Sequence, residues 1–95
     1  MNESQVIRVR FWAAARAAAG VAEHAVAVDA PVVLDELTRR VLAELTGEQT
    51  GERLAAVLSS CSVLVGERPV SSQDPADVQV RPGDTVEFLP PFAGG

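Results

Sequence analysis

The sequence predicts a small α+β domain in which one amphipathic helix covers one face of a mixed β-sheet. Three observations support this fold class. Apolar and polar residues alternate near both ends of the chain, residues 33–45 show helical periodicity, and 95 residues suit one hydrophobic core. Because the helix separates two groups of strands, it can connect strands that run parallel.

The first strand is predicted over residues 6–12. Every second residue from Ile7 to Phe11 is apolar, whereas the arginines between them face the other side, as in a half-buried strand. Residues 13–19 are rich in alanine and favour a short helical turn. Gly20 can end this turn in the left-handed conformation.

The second strand is predicted over residues 23–29, with Val26 and Val28 facing the core and Asp29 at its end. Consecutive strands with such a connection usually lie next to each other. We therefore expect the first two strands to pair as a hairpin.

The main helix is predicted over residues 33–45. Asp35 precedes Arg39 by four positions, and Glu36 precedes Arg40 in the same way. An acidic residue on the N-terminal side is the more favourable orientation for such pairs. The apolar stripe of this helix comprises Leu34, Leu37, Val41 and Leu45.

The segment after the main helix is polar, and Gly47 is expected to end the helix. We interpret residues 46–53 as a loop and residues 53–59 as a second short helix. The third strand is predicted over residues 61–65, which are mostly apolar.

The last third of the chain contains turns and two further strands. Residues 66–69 are predicted to turn, Val70 to begin a short edge strand, and residues 71–77 to form a loop. Residues 81–84 have Pro and Gly at their centre, as in a type II turn. They lead into the last strand, residues 85–89, whose buried side chains are Val86 and Phe88.

The order of elements is strand, strand, helix, strand, short strand, strand. A helix between the hairpin and the later strands allows the first and last strands to lie parallel at the centre of the sheet. With one helical layer on one sheet face, this is the β-grasp arrangement of ubiquitin. We expect one such domain over residues 1–95, with residues 90–95 protruding as a tail.

Composition excludes several classes of function. The net charge of −5 and the absence of lysine argue against nucleic-acid binding. Cys61 and His24 are the only cysteine and histidine, too few for a usual metal site, and no cofactor is expected. We interpret Cys61 as a small core residue and His24 as a surface residue. No membrane span or signal peptide is apparent, so a cytoplasmic protein is expected.

The end of the sequence combines a stiff segment with a slender one. Pro90–Pro91 cannot continue a central strand and favours extended polyproline II geometry. Gly94–Gly95 lacks side chains, so it can enter a narrow channel and present its carboxylate to another protein. This pattern predicts a carrier whose reactive group is its terminal carboxylate. A frayed, inert end is the simpler alternative.

Three stretches match the pattern of a known family. Residues 7–16, with Gly20, contain a strand followed by an aromatic-Ala sequence and an arginine; residues 63–67 contain a strand and a turn; residues 84–95 contain a strand followed by Pro-Pro and Gly-Gly. In these features the chain resembles the small, sulfur-carrying subunits of molybdopterin synthase, within the ubiquitin-like sulfur carriers.

The resemblance implies a non-catalytic, sulfur-donating subunit rather than an enzyme. An ATP-dependent activating enzyme would adenylate Gly95, and sulfur from a donor protein would convert it to a thiocarboxylate. The tail would then enter the large subunit of molybdopterin synthase. There the sulfur would pass to a pterin precursor in molybdenum cofactor biosynthesis.

The resemblance also implies which residues bind the partner. Gly94 would keep the tail slender, while Phe92 and Pro91 would pack in a groove of the large subunit. Trp12 faces away from the core by its strand position and is expected at the interface. Arg16 would pair with a carboxylate of the partner or remain solvated.

Other functions fit the same features. The chain resembles, less closely, sulfur carriers for thiamine or cysteine biosynthesis. A ubiquitin-like protein modifier would instead join its terminal glycine to lysines of target proteins. A plain binding domain with an inert tail is a further alternative. Residues 88–91 favour molybdopterin synthesis, because the other carriers resemble this segment less.

Overall fold

The computed structural model describes residues 5–45 and 50–91 of the chain. The predicted helix end at Gly47 and the tail residues 92–95 lie outside these ranges. Within the ranges, the elements are β1 (Val6–Phe11), α1 (Ala13–Ala19), β2 (Glu23–Ala27), β3 (Val32–Val33), α2 (Leu34–Leu45), α3 (Thr50–Ser59), β4 (Ser62–Val65), β5 (Arg68–Pro69), β6 (Gln79–Val80) and β7 (Thr85–Leu89).

The main sheet has the strand order β2-β1-β7-β4-β5. β1 and β7 run parallel, whereas the other neighbouring pairs are antiparallel. A parallel pair requires a crossover connection, and α2 lies in the chain between these two strands. The arrangement confirms the predicted α+β fold, with the first and last strands parallel in a β-grasp sheet.

The core lies between the main sheet and the helices. Every second residue of β1 from Ile7 to Phe11 is buried, as are Val86 and Phe88 of β7. Burying one large apolar side chain contributes about 1.5–3 kcal/mol, so these buried strand and helix residues contribute much of the stability of the fold. The predicted stripe of α2 consists of buried Leu34, Leu37 and Val41 and partly buried Leu45.

The exposed side of α2 carries the predicted ion pairs. Arg39 Nη2 lies 3.7 Å from Asp35 Oδ2, and Arg40 Nε donates a hydrogen bond to Glu36 Oε2 at 3.1 Å. The bond from Arg40 is the main reason that the pKa of Glu36 lies below its usual value. Because these side chains are largely exposed, the pairs stabilise the fold less than the buried stripe does.

α1 is the predicted alanine-rich turn, and it ends as expected at Gly20. This glycine has a φ of 79°, and its N–H donates to the carbonyl oxygen of Arg16 at 2.9 Å. No side chain caps the start of the helix at Trp12. A seven-residue helix is marginal alone, so its stability comes from packing. The alanines buried by that packing are Ala15, Ala18 and Ala19.

Some predicted boundaries are wrong because long-range pairing and packing set them. Helix α3 begins at Thr50, so residues 50–53 are helical rather than part of the predicted loop. The helix begins one turn before Leu54, which is buried. Strand ends shift in the same way: the predicted strands 6–12, 23–29 and 61–65 become Val6–Phe11, Glu23–Ala27 and Ser62–Val65.

The edge strand is also displaced from its predicted position. The turn is confined to Gly66 and Glu67, and Arg68–Pro69 forms β5 by pairing with the end of β4. Val70, which was expected to begin this strand, follows it and is buried. The sequence also does not predict the two-residue strands β3 and β6, whose pairing joins Val32 to Val80. Val33, expected in the main helix, belongs to β3.

The predicted turn at residues 81–84 is confirmed. Gly83 has a φ of 93°, which a type II turn requires at this position and which glycine adopts without steric cost. The N–H of Asp84 donates to the carbonyl oxygen of Arg81 at 3.0 Å. The turn is joined to the start of β1 by a bond from Gly83 N–H to the carbonyl oxygen of Val6 at 2.7 Å. It therefore sets where β7 begins.

Candidate functional site at the root of the tail

The parallel pairing of β1 and β7 brings the ends of both strands to one side of the sheet. Phe11 lies opposite Phe88, and their rings stack with centroids 6.1 Å apart. The N–H of Trp12 donates to the carbonyl oxygen of Phe88 at 3.2 Å. Residues 89–91, which we call the tail root, therefore begin directly beside Trp12.

The tail root becomes more exposed as it leaves the sheet. Leu89 is partly buried and lies opposite Ser62 of β4. Pro90 is also partly buried, and Pro91 is exposed. The chain thus leaves the centre of the sheet between Trp12 and Ser62, and Pro91, whose φ is fixed by its ring, is exposed to solvent.

The sheet face opposite the helices carries a linked set of polar and aromatic side chains next to the tail root. Arg10 lies 3.8 Å from Glu23 on one neighbouring strand and 3.7 Å from Glu87 on the other. Its guanidinium carbon is 5.1 Å from the ring centroid of Trp12, a cation–π contact. We call Arg10, Trp12, Glu23 and Glu87 the outer-face cluster.

Trp12 is the most exposed large apolar residue of the described chain, at 42%. Val21, the other such residue, is 39% exposed. Continuing the β1–β2 register by two residues beyond Arg10 and Glu23 places Val21 beside Trp12. The outer-face cluster therefore has an apolar margin at the tail root, and its Trp and Arg are residue types enriched at protein interfaces.

A strained backbone residue follows Trp12. Ala13 has a φ of 49°, in the left-handed region that non-glycine residues rarely adopt. The carbonyl oxygen of Trp12 accepts bonds from the N–H groups of Ala15 at 2.9 Å and Arg16 at 3.3 Å. The chain therefore turns sharply from β1 into α1, and Trp12 stays on the outer face.

The predicted site residues fall into two groups. Trp12, Arg16 and Pro91 are exposed near the same end of the sheet, and Arg16 lies one helical turn beyond Trp12. No described carboxylate pairs with Arg16. Phe92, Gly94 and Gly95 lie outside the described residues.

The parts of this site that depend on strand register do not follow from the sequence pattern. Alternation places Arg10 on the outer face, but its contacts with Glu23 and Glu87 join three strands. Val21 lies between α1 and β2, outside any alternating segment, so the sequence does not predict its position beside Trp12. The sequence does place an arginine in the first strand and a glutamate in each of the two strands that pair with it, and this pattern could have indicated the contacts.

Cys61 and His24 have structural roles. Cys61 is partly buried against the core, and its thiol donates to the carbonyl oxygen of Val57 at 3.2 Å. Burial raises the pKa of this thiol from 9.0 to about 11, so it is protonated at neutral pH and unsuited to nucleophilic attack. His24 is more buried than expected for a surface residue, and its Nε2 lies 2.7 Å from Glu44 Oε1.

Residues 5–45 and 50–91 contain no cluster of three potential metal-binding His, Cys, Asp or Glu side chains. None of their helices combines the length and hydrophobicity needed to cross a bilayer.

A family model described as the ThiS family matches residues 9–95 of the chain. A search of curated protein sequences finds no significant match. Among solved structures, the chain is similar to the HVO 2177 protein of Haloferax volcanii, with 26% identity and a TM-score of 0.71. That alignment covers 96% of this chain and 87% of the other.

Two other solved structures share the fold. One is a chain in the complex of subunits 1 and 2 of the molybdopterin-converting factor from Helicobacter pylori, with 23% identity, a TM-score of 0.59, and 95% and 99% of the two chains covered. The other is small archaeal modifier protein 1 from Methanosarcina acetivorans, with 16% identity, a TM-score of 0.70, and 95% and 96% covered.

We expect Ala13→Gly to stabilise the protein. Alanine in the left-handed region costs roughly 1–2 kcal/mol, and glycine removes this cost while adding about 0.5–1 kcal/mol of unfolded-state entropy. The net gain in the free energy of unfolding should be about 0.5–1 kcal/mol, measured by urea denaturation. Ala17→Gly, at an exposed interior position of α1, is the matched control and should lower stability. Equal losses in both variants would contradict the assigned strain.

Alkylation of Cys61 by iodoacetamide should be slow at pH 8 and should accelerate until about pH 11. Chain unfolded in urea is the control and should follow the ordinary thiol pKa of 9.0. Because burial favours the neutral thiol, Cys61 contributes to the free energy of unfolding below pH 9. This contribution is lost as the pH rises towards 11. Rapid alkylation of the folded protein at pH 8 would contradict the raised pKa of Cys61.

Proposed function

Because the chain belongs to the ThiS family of ubiquitin-like sulfur carriers, we propose that it acts in the cytoplasm as the sulfur-donating subunit of a molybdopterin synthase. Small carriers of this family are generally non-catalytic, so the proposal assigns the reactive carbonyl to this chain and the catalytic groups to its partners. The observation that carries it is the exit of central strand β7 into exposed Pro91 beside exposed Trp12.

The proposed chemistry begins with the carboxylate of Gly95. A carboxylate is a poor acyl electrophile, because its oxygen is a poor leaving group. An activating enzyme would transfer AMP from ATP to this oxygen and release pyrophosphate. A persulfide sulfur of the donor protein would then attack the carbonyl carbon and expel AMP, and a thiol would cleave the resulting S–S bond. The product at Gly95 is a thiocarboxylate.

The proposed role of the remaining tail residues is delivery. Gly94 would leave the tail thin enough for a channel, and Phe92 would pack with Pro91 in the large subunit. The central strand holds the tail root firmly, while Pro90–Pro91 limits the directions that the tail can take. A stiff exit reduces the entropy that the tail loses when it enters a partner.

The large subunit is the proposed partner of the outer-face cluster. In the Helicobacter pylori structure, a chain with this fold belongs to a complex of two molybdopterin-converting factor subunits. The tail root and the outer-face cluster adjoin each other here, so one partner could contact both. Arg16, one turn beyond Trp12, would meet a carboxylate at the edge of that contact.

Protein modification is the second candidate function. Its support is the fold shared with small archaeal modifier protein 1. In that case an amine of a target protein, rather than a sulfur, would attack the activated carbonyl of Gly95. Sulfur carriage for thiamine or cysteine synthesis would give the same thiocarboxylate with a different acceptor.

Intact mass spectrometry should distinguish these functions after co-expression with a candidate activating enzyme and sulfur donor. The proposed carrier gains the mass difference between sulfur and oxygen at Gly95, whereas a modifier forms heavier conjugates. A variant lacking Gly94 and Gly95 is the control and should remain unmodified.

Reconstitution with the large subunit should then yield dithiolene from the thiocarboxylate form alone. Equal dithiolene formation by the carboxylate form would reject the proposal.

Trp12→Ala should weaken binding to the large subunit. Truncation of a central interface tryptophan typically costs about 2 kcal/mol or more, equivalent to roughly thirtyfold in Kd. Arg68→Ala, an exposed residue on the opposite edge strand, is the control and should change Kd by less than about threefold. Calorimetric titration measures both. Unchanged binding by Trp12→Ala would remove the outer-face cluster from the proposed interface.

A further inference from the structure

The two edges of the main sheet differ in their capacity to accept another strand. β5 has two residues and ends at Pro69, which lacks a backbone N–H. β2 has five residues, no proline and an uninterrupted register with β1. Within the described residues, β2 pairs with β1 alone. Its outer edge therefore lacks the proline and the bulge that often prevent strand addition, and Glu23 at its start is its only acidic residue.

The hydrogen bonds between β1 and β2 show which backbone groups face outwards. Val28 N–H donates to the carbonyl oxygen of Gln5, and Phe11 N–H donates to that of Ala22, both at 2.9 Å. Because antiparallel bonding alternates along a strand, the even-numbered residues from 22 to 28 face β1. The outward N–H and C=O groups belong to Glu23, Ala25 and Ala27, all of which are exposed.

We propose that this edge pairs with β2 of a second copy of the chain, in antiparallel orientation about a two-fold axis at Ala25. Ala25 then faces Ala25 of the second copy, and Glu23 faces Ala27 of that copy. Each facing pair exchanges two N–H···O bonds. The pairing joins two sheets into one and is isologous, the symmetry of most homodimers.

The charges beside the edge fit this pairing. Glu44 lies near the start of β2, where its Oε1 is 2.7 Å from His24 Nε2. Arg40 lies near the end of β2, where it and Ala27 line a cleft of about 370 Å³. The two-fold axis exchanges these two ends of β2. Arg40 of one copy, whose Nε already donates to Glu36 of its own chain at 3.1 Å, therefore presents its other guanidinium nitrogens to Glu44 of the other copy, and the axis repeats the contact. The register also keeps the Glu23 carboxylates apart, since each faces an alanine.

The first experiment tests the backbone contact by sedimentation equilibrium of the full chain. The wild-type protein should dimerise reversibly with concentration. Ala25→Pro removes an N–H that faces away from β1, so it should preserve the monomer fold and raise the dimer Kd at least about tenfold. Ala25→Thr keeps the N–H and should dimerise like the wild type. Thermal melts at low concentration verify that each monomer is folded.

The second experiment tests the register by exchanging charges. Arg40→Glu alone and Glu44→Arg alone should each weaken self-association, because each homodimer then pairs like charges. An equimolar mixture of the two variants should recover the dimer, since both contacts in the heterodimer pair opposite charges. A different interface predicts no such recovery.

Three results would overturn the inference. They are a wild-type protein that remains monomeric up to about 1 mM, a dimer that Ala25→Pro leaves intact, and a mixture of charge variants that fails to associate. An edge that instead pairs only with a strand of another protein would give the first result. The inference does not depend on the chemistry of Gly95, so it stands or falls independently of the proposed function.

Discussion

The parallel pairing of β1 with β7 is the constraint from which the other features of this protein follow. Parallel neighbours cannot be joined by a tight turn, so the intervening chain must cross over, and α2 covers the sheet in doing so. The stacked, buried rings of Phe11 and Phe88 mark the end of this pair. Since both strands end at the same side, the exit of the tail is necessarily beside the residue that follows β1.

Strand alternation then divides the side chains at that exit between two roles. Phe11 and Phe88 point into the core, and Trp12 consequently faces solvent. The contacts of Arg10 with Glu23 and Glu87 are long and exposed, so they stabilise the fold little. The backbone register, rather than these ion pairs, positions the outer-face cluster. A surface held in this way keeps its geometry when salt screens its charges.

Local patterns in the sequence predicted the elements whose stability is set by one buried face. Alternation located β1 and β7, the helical stripe located α2, and Gly83 identified its turn, because each pattern reflects local geometry. β3 and β6 escaped prediction because two residues carry no period, and their pairing depends on distant parts of the chain. The same difference between local and long-range information applies to the residues of the site. The exposure of Trp12 followed from its strand position, whereas its neighbours Val21 and Glu87 required the register.

The edge and the outer face of the sheet are separate surfaces, so the two proposed associations would not compete. The proposed strand addition at β2 would use backbone groups in the plane of the sheet, whereas the proposed partner of the outer-face cluster would contact the face of the sheet. Glu23 belongs to both, yet its side chain contacts Arg10 on the face and its backbone groups point to the edge. The tail root is separated from that edge by β1. A paired edge would therefore leave the exit of the tail accessible, and would present two tail roots on one continuous sheet.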